Sequence, residues 1–179
     1  ELVAAGYAAI GLDHFALPHD ELTVAAARGK LRRNFQGYTT DVSDTLLSFG
    51  ASAIGEFPQG FVQSARDTLE WSQHIDRNES PVTRGLATTP EDRMRSDVIE
   101  RLMCDLSVDH ADIARRHGLP VIGMSELAAK LAPAVDAGIA IIDGTRVSVP
   151  ARHRLFLRTV AAAFDTHFVS APNRHAKAV

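Results

Sequence analysis

The chain has 179 residues, 45% of them hydrophobic and 23% charged, and 19 Lys and Arg against 22 Asp and Glu give a formal net charge of -3. This composition allows one domain or two small ones with a hydrophobic core, and it excludes intrinsic disorder. The charge balance does not favour a nucleic-acid binder. No apolar run approaches the ~20 residues of a membrane span. We therefore expect neither nucleic acid nor a membrane as a partner.

The chain contains a single cysteine, Cys104. One thiol excludes an internal disulfide framework and a thiolate-ligated zinc or iron–sulfur site built from this chain alone. We predict a cytoplasmic location and an inert, buried thiol among Leu102, Met103 and Leu106. The histidines are scattered without metal-binding spacing, so no metal site is expected. The chain begins without Met or a signal peptide and is expected to be part of a larger protein.

Residues 1–89 predict a mixture of strands, loops and helices. The predicted elements in chain order are a buried strand at 7–12, a helix ending at Gly29, a loop at 31–44, an extended segment at 46–55, a helix at 60–75 and a short strand at 83–87.

From Pro90 onward the pattern becomes mainly helical. The local signals predict a helix starting at 90, a second at 109–117 stopped by Gly118, a third from 125 closed by Gly138, a hairpin at 139–149 around Asp143-Gly144 and a last helix after Pro150. This order resembles a winged helix. The predicted organisation is a first domain at 1–89, a second at 90–170 and a tail at 171–179.

Asp13 and His14 directly follow the first predicted strand. They fit a catalytic acid–base pair or metal ligands. They also fit a strand end at which His14 hydrogen-bonds a backbone carbonyl. The residues alone leave both interpretations open.

The segment 32–40 contains the densest cluster of functional residue types. Arg32 and Arg33 could bind carboxylates, the Gln36 amide could contact a polar ligand edge, and Phe35 and Tyr38 could stack on a planar ligand. An ordered surface loop that satisfies its own backbone groups explains the same composition.

A helix-turn-helix at 109–133 would suggest a DNA-binding regulator. The second helix, however, carries only Lys130 as a cation and begins with the acidic Ser125-Glu126. Recognition helices place cations near phosphates, so a packing role is favoured for this half.

Several strings resemble the oxygen-independent coproporphyrinogen III oxidase family of radical S-adenosylmethionine enzymes. The matching strings, in order along the chain, are Gly11–Leu22, Arg33–Thr40, Gly50–Gly55, Arg84-Gly85, Arg95–Ile99 and Phe164–Thr166. The resemblance covers nearly the whole chain. The CxxxCxxC cluster motif of the family is absent, so the chain resembles the C-terminal part alone.

The resemblance implies the conversion of coproporphyrinogen III to protoporphyrinogen IX in haem biosynthesis, in which two propionates become vinyl groups with release of CO2. It implies S-adenosylmethionine and a [4Fe-4S] cluster in the full-length enzyme. This chain alone is expected to bind neither and to be inactive without an N-terminal radical domain. We expect the full-length protein to be a monomer. The fold implied is α+β: the C-terminal end of a partial (β/α) barrel followed by a helical, winged-helix-like domain.

The resemblance also implies roles for individual residues. Phe35 and Gln36 resemble residues of the S-adenosylmethionine site, and Ile54 resembles the residue that lies against the adenosyl group. Arg32, Arg33 and Tyr38 are predicted to contact substrate, because arginines beside the site suit propionates. Asp13 and His14 become candidate substrate-side catalytic residues.

One position departs from the family, since Ser64 stands where members often carry Asn in what we predict to be a helix start. Two alternatives remain: a haem chaperone of the same superfamily, which haem binding would reveal, and a winged-helix DNA-binding regulator, which salt-dependent DNA binding would reveal.

Overall fold

The computed structural model describes residues 1–168, and the predicted tail at 171–179 lies outside them. The described residues mix helices with short antiparallel sheets, which confirms the α+β class. They divide into two units. The first comprises Glu1–Ile10 and His14–Arg93, and the second comprises Gly11–Asp13 and the residues from Met94 onward.

Six α-helices occur in the described part of the chain. They are α1 (Glu21–Ala27), α2 (Thr68–Asp76), α3 (Pro90–Asp105), α4 (His110–His117), α5 (Met124–Asp136) and α6 (Leu157–Ala161), with 3-10 turns at Val3–Ala5, Ala151–Phe156 and Ala162–Phe164. Among residues 1–168 no helix is both long and apolar enough to cross a membrane.

The strands form four small sheets in the described part of the chain. They are β1 (Ala8–Ile10), β2 (His14–Ala16), β3 (Arg32–Asn34), β4 (Gly37–Thr39), β5 (Ile54–Phe57), β6 (Gly60–Ser64), β7 (Val82–Ala87), β8 (Ser107–Asp109), β9 (Ile141–Asp143) and β10 (Arg146–Ser148). In the first unit β1 pairs with β2, β3 pairs with β4, and a sheet has the order β5-β6-β7. In the second unit the sheet order is β8-β10-β9.

Capping residues determine where several helices begin. The Asp20 carboxylate accepts from the Leu22 backbone N–H at the start of α1, and Asp67 does the same for Leu69 at α2. Before α3, the Thr89 hydroxyl accepts from the Asp92 backbone N–H and the Asp92 carboxylate accepts from the Thr89 backbone N–H. Each cap satisfies amides that the first helical turn leaves without partners.

Two predicted elements of the first unit are wrong. The predicted loop at 31–44 contains the hairpin β3–β4. The predicted helix at 60–75 begins only at Thr68, because its first five residues form β6, the central strand between β5 and β7. Phe61, Ala65 and Leu69 have helical spacing, but backbone pairing on both edges of β6 outweighs that local signal.

The helices and the hairpin predicted for the second unit are confirmed, and strand β8 was missed. Leu102, Leu127, Leu131, Val147 and other apolar side chains form its core, with Phe164 also completely buried. The side chains of Val135 and Leu155 are exposed. Cys104 is buried, as predicted.

Candidate functional site

Phe35 and Gln36 lie at the tip of the hairpin β3–β4. The Gln36 backbone N–H donates to the Asn34 side-chain oxygen at 2.8 Å, which closes the turn locally. Gly37 follows with a φ of 137°, a conformation that favours glycine. The turn leaves the Phe35 side chain 56% exposed. An exposed aromatic ring and an amide are thus presented together on a defined turn.

The ring of Phe35 contacts the ring of Phe61 edge to face. Their centroids are 5.4 Å apart and the planes meet at 89°. Phe61 is the second residue of β6 and lies directly opposite Glu56 of β5. This contact joins the hairpin tip to the sheet β5–β6–β7.

Ile54 belongs to the same face of that sheet. It is paired with Gln63, which lies two residues after Phe61 on β6. Residues two apart on a strand share a face, and directly paired residues do as well. The structure therefore brings Phe35, which packs on Phe61, and Ile54 to one face, which we call the outer face of the β5–β6–β7 sheet.

The opposite face of the sheet is lined by apolar side chains around a pocket of about 460 Å³. Phe57 and Val62 line it from the strands, and Trp71 and Ile75 of α2 line it from the helix. Successive side chains of a strand point to opposite faces, and the candidate cofactor residues do not line this pocket.

Three other predicted residues form a second cluster. The ring of His14 meets the ring of Tyr38 edge to face at 5.0 Å, and the guanidinium of Arg33 lies 5.4 Å from the centroid of the Tyr38 ring. Arg33 and Tyr38 are direct cross-strand partners. His14 also fills the space beside Gly37, where an added Cβ would lie 3.3 Å from its Nε2. A cation, a phenol and an imidazole therefore meet here.

Arg32 is separated from this cluster. Successive side chains of a strand point to opposite faces, so Arg32 and Arg33 project from opposite sides of β3. Hydrogen bonds from Ser43 lower the pKa of Asp41 below its usual value, and the positive charge of Arg32 lowers it further. Arg32 thus faces an anionic neighbour of its own.

Asp13 and His14 are adjacent in the chain but belong to different units. Asp13 is exposed in the turn between β1 and β2 and is grouped with the second unit. His14 is the first residue of β2 and belongs to the first unit.

Sequence reasoning missed Phe61 and Gln63. The signal that could have identified them is the five-residue run Gly60–Ser64, bounded by Gly60 and the helix cap Asp67, which is the length of a typical strand. A second aromatic residue on such a strand would have been a candidate partner for Phe35.

Iron–sulfur ligands are not provided by the described part of the chain. Within residues 1–168 no group of three or more His, Cys, Asp or Glu side chains could hold a metal ion. The donor set therefore does not fit a [4Fe-4S] cluster, which cysteine thiolates hold. The outer face does suit a nucleoside, because it offers an exposed ring, an aliphatic side chain and a nearby amide.

The chain is similar to known proteins along nearly its whole length. Residues 88–156 match the family model of the HemN C-terminal domain. This segment is therefore similar to that domain. It is 46% identical over 178 residues to the oxygen-independent coproporphyrinogen III oxidase of Bradyrhizobium diazoefficiens, covering 99% of this chain and 40% of that protein. It is 38% identical over 167 residues to the enzyme of the same name from Escherichia coli, covering 93% of this chain and 36% of that protein.

A solved structure agrees with these matches. The coproporphyrinogen III oxidase HemN from Escherichia coli, described as a radical SAM enzyme, superposes with a TM-score of 0.83 at 37% identity, covering 93% of this chain and 39% of that chain. The resemblance to this family is confirmed. The chain spans about 40% of the length of the curated relatives it matches.

Proposed function

We propose that this chain is the C-terminal part of an oxygen-independent coproporphyrinogen III oxidase, which converts coproporphyrinogen III to protoporphyrinogen IX. The observation that carries the proposal is the placement of Phe35 and Ile54 on one outer face, within a chain that matches one such oxidase over 99% of its length. The cluster ligands would come from an N-terminal radical domain of the longer protein. A cytoplasmic location remains a prediction from the lone cysteine.

In this proposal the outer face holds the nucleoside part of S-adenosylmethionine. The Phe35 ring and the Ile54 side chain would cover the apolar surface of the adenosyl group, and Gln36 would offer its amide to a polar edge. When bound, this cofactor would supply the radical chemistry of the reaction. The contribution of these residues is to bind, orient and exclude water.

The second cluster is proposed to face the substrate. Arg33 would pair with a propionate carboxylate, while Tyr38 restrains the guanidinium by lying against it. His14, held against Tyr38, would lie beside the same carboxylate. Because Arg32 projects from the other side of the strand, Arg33 is the arginine that shares a side with His14 and Tyr38.

Asp13 is proposed as a substrate-side residue of the longer protein. The support is its place in the turn before β2, next to His14 in the chain.

The finer description of the fold also belongs to this proposal. The second unit runs helix, strand, helix, helix and hairpin, and the order β8-β10-β9 supports a winged helix. β1 is proposed as the last strand of a partial (β/α) barrel. Every strand pair of the described residues is antiparallel, so the parallel neighbours of β1 would come from the rest of the longer protein.

A DNA-binding function is not supported by the candidate recognition helix. Lys130, the cation of α5, is paired with Glu126 at 2.8 Å. The carboxylate offsets the charge that a phosphate contact would need.

The test uses the full-length protein with its cluster reconstituted anaerobically. We expect S-adenosylmethionine binding by calorimetry and formation of protoporphyrinogen IX from coproporphyrinogen III. Arg33→Ala should raise the KM for coproporphyrinogen about tenfold, in line with the loss of a hydrogen bond to a charged group. Arg32→Ala is the matched comparison on the opposite side of the strand and should change KM less.

Two outcomes would contradict the oxidase assignment, and a third would contradict only the role of the arginines. Absence of cofactor binding and turnover in the wild type would refute the oxidase. Haem binding without turnover would favour the haem chaperone instead. Unchanged KM values in both arginine variants would remove the arginines from the substrate site while leaving the oxidase intact.

A further inference from the structure

The outer face of β6 contacts both parts of the candidate cofactor site. Phe61 and Gln63 are two residues apart on this central strand and therefore share that face. Phe61 meets Phe35 edge to face at 5.4 Å. Gln63 is the cross-strand partner of Ile54. Strand β6 thus contacts both Phe35 and Ile54, which are 19 positions apart in the chain.

Phe61 restricts where the ring of Phe35 can lie. A side chain at an exposed hairpin tip samples several rotamers, and a more ordered ring loses less entropy when a ligand binds. In the perpendicular contact, the edge of one ring meets the face of the other. Part of the Phe35 ring therefore stays accessible, consistent with its 56% exposure. The contact therefore orders the ring while keeping it accessible to a ligand.

Gln63 and Ala65 hold the turn that precedes Ile54. The Gln63 side-chain amide donates to the Ser52 carbonyl oxygen at 3.1 Å, and the Ser52 backbone N–H donates to the Ala65 carbonyl oxygen at 2.8 Å. Ser52 has a φ of 62°, an uncommon conformation for a residue other than glycine. These hydrogen bonds of Ser52 with Gln63 and Ala65 fix the turn immediately before Ile54.

We propose that Phe61 is a positioning residue of the S-adenosylmethionine site and acts through Phe35. This inference rests on the proposed function and adds a residue to it. Phe61 orients the Phe35 ring against the adenosyl group, and β6 sets the spacing between that ring and Ile54. Removing the Phe61 ring leaves Phe35 in place but mobile, so cofactor binding weakens while the chemical step is unaffected.

The experiment measures the Kd for S-adenosylmethionine by calorimetry on the full-length, cluster-reconstituted protein. Phe61→Ala should raise the Kd and the KM for S-adenosylmethionine about fivefold, within the range of an aromatic pair contact, with kcat unchanged. Phe61→Leu keeps apolar volume and should show the same rise. Phe61→Tyr keeps the aromatic edge and should restore the Kd to within about twofold of wild type.

A double variant distinguishes action through Phe35 from independent action. Phe35→Ala combined with Phe61→Ala should bind no more weakly than Phe35→Ala alone, because Phe61 has no ring left to position. The control is Phe57→Leu, which alters an aromatic side chain on the opposite face of the same sheet. It should leave the Kd unchanged even if the melting temperature falls.

The outcomes separate this inference from the proposed function. If wild type binds the cofactor and Phe61→Ala and Phe61→Leu bind equally well, the positioning role is wrong and the oxidase proposal stands. Multiplicative losses in the double variant would also overturn action through Phe35. If wild type itself does not bind, both proposals fail.

Discussion

His110 shows how burial changes the chemistry of a single residue. Its side chain is completely buried at the start of α4. Its Nε2 lies 3.0 Å from the Met124 sulfur, and its ring centroid lies 6.1 Å from that of Phe164. The pKa of His110 lies below its usual value of 6.5, because burial disfavours the charged ring. The negative charge of Asp109 acts in the opposite direction but is the smaller effect. The folded state therefore favours the neutral ring.

This lowered pKa predicts a pH-dependent stability of the second unit. The unfolded chain binds a proton near pH 6.5 and the folded chain binds it at lower pH, so the free energy of unfolding falls as the pH decreases below about 6.5. We expect the free energy of unfolding to be lower at about pH 5.5 than at about pH 7.5. Urea unfolding followed by circular dichroism measures it.

The matched variant is His110→Gln, which cannot titrate. All other ionisable groups are common to both proteins, so the difference in pH dependence belongs to His110. Parallel pH profiles for wild type and variant would show that the buried ring does not contribute.

At the scale of elements, the β5–β6–β7 sheet depends on a close approach at Gly60. This residue begins β6 with a φ of 147°. An added Cβ would overlap the Leu86 carbonyl oxygen and lie 2.9 Å from the Ala87 Cα. Both neighbours are backbone atoms of β7, so a side chain at this position requires the strand itself to move.

We therefore expect Gly60→Ala to destabilise the first unit by about 3 kcal/mol, from backbone strain together with displacement of β7. Gly29→Ala is the control, because Gly29 also has a positive φ of 63° but nothing lies within 4 Å of an added Cβ. It should cost about 1 kcal/mol. Urea unfolding followed by Trp71 fluorescence measures both, and equal losses would show that contact with β7 is unimportant.

At the scale of the whole molecule, the two units carry different spectroscopic signals. The single Trp and both Tyr residues of the chain, Trp71, Tyr7 and Tyr38, belong to the first unit. Most helical residues belong to the second unit, in α3 from Met94 onward and in α4 to α6. Fluorescence therefore reports mainly on the first unit, and circular dichroism reports mainly on the second.

This difference makes a core substitution in the second unit informative. Phe164 is completely buried, and the Arg95 guanidinium donates to its carbonyl oxygen at 3.1 Å. Phe164→Ala should lower the free energy of unfolding measured by circular dichroism by about 3–5 kcal/mol, because it leaves a cavity. The transition measured by Trp71 fluorescence should shift less. Equal shifts with both probes would mean that the units unfold as one.

Local sequence signals predicted most of the helices and turns of the second unit. Pro90 and Asp92 mark the start of α3, Gly118 ends α4, and Asp143-Gly144 closes the hairpin β9–β10. Each signal acts within a few residues, so the sequence is sufficient to identify it. The buried face of α3 followed for the same reason, since helical spacing places Met94, Val98 and Leu102 together.

The candidate site was only partly predictable. The resemblance selected Phe35, Gln36 and Ile54 from matching strings, but no local pattern indicated that Phe35 and Ile54 share a face. Arg32 and Arg33 looked equivalent in a predicted loop, and only the hairpin pairing of β3 with β4 separates them. These arrangements depend on hydrogen bonds between segments that are distant in the chain, which periodicity cannot detect.

The amino-acid sequence by itself determined the helix boundaries of residues 90–138, the hairpin after them, the burial of Cys104 and the family resemblance. The tertiary structure alone decided that Gly60–Ser64 is a strand, that Phe61 meets Phe35, and that Arg33 lies with Tyr38 and His14. The physical reason is the range of the interactions. Caps and turns are satisfied by residues within one turn of the chain, whereas a strand such as β6 acquires its hydrogen bonds and its two faces only when β5 and β7 pair with it.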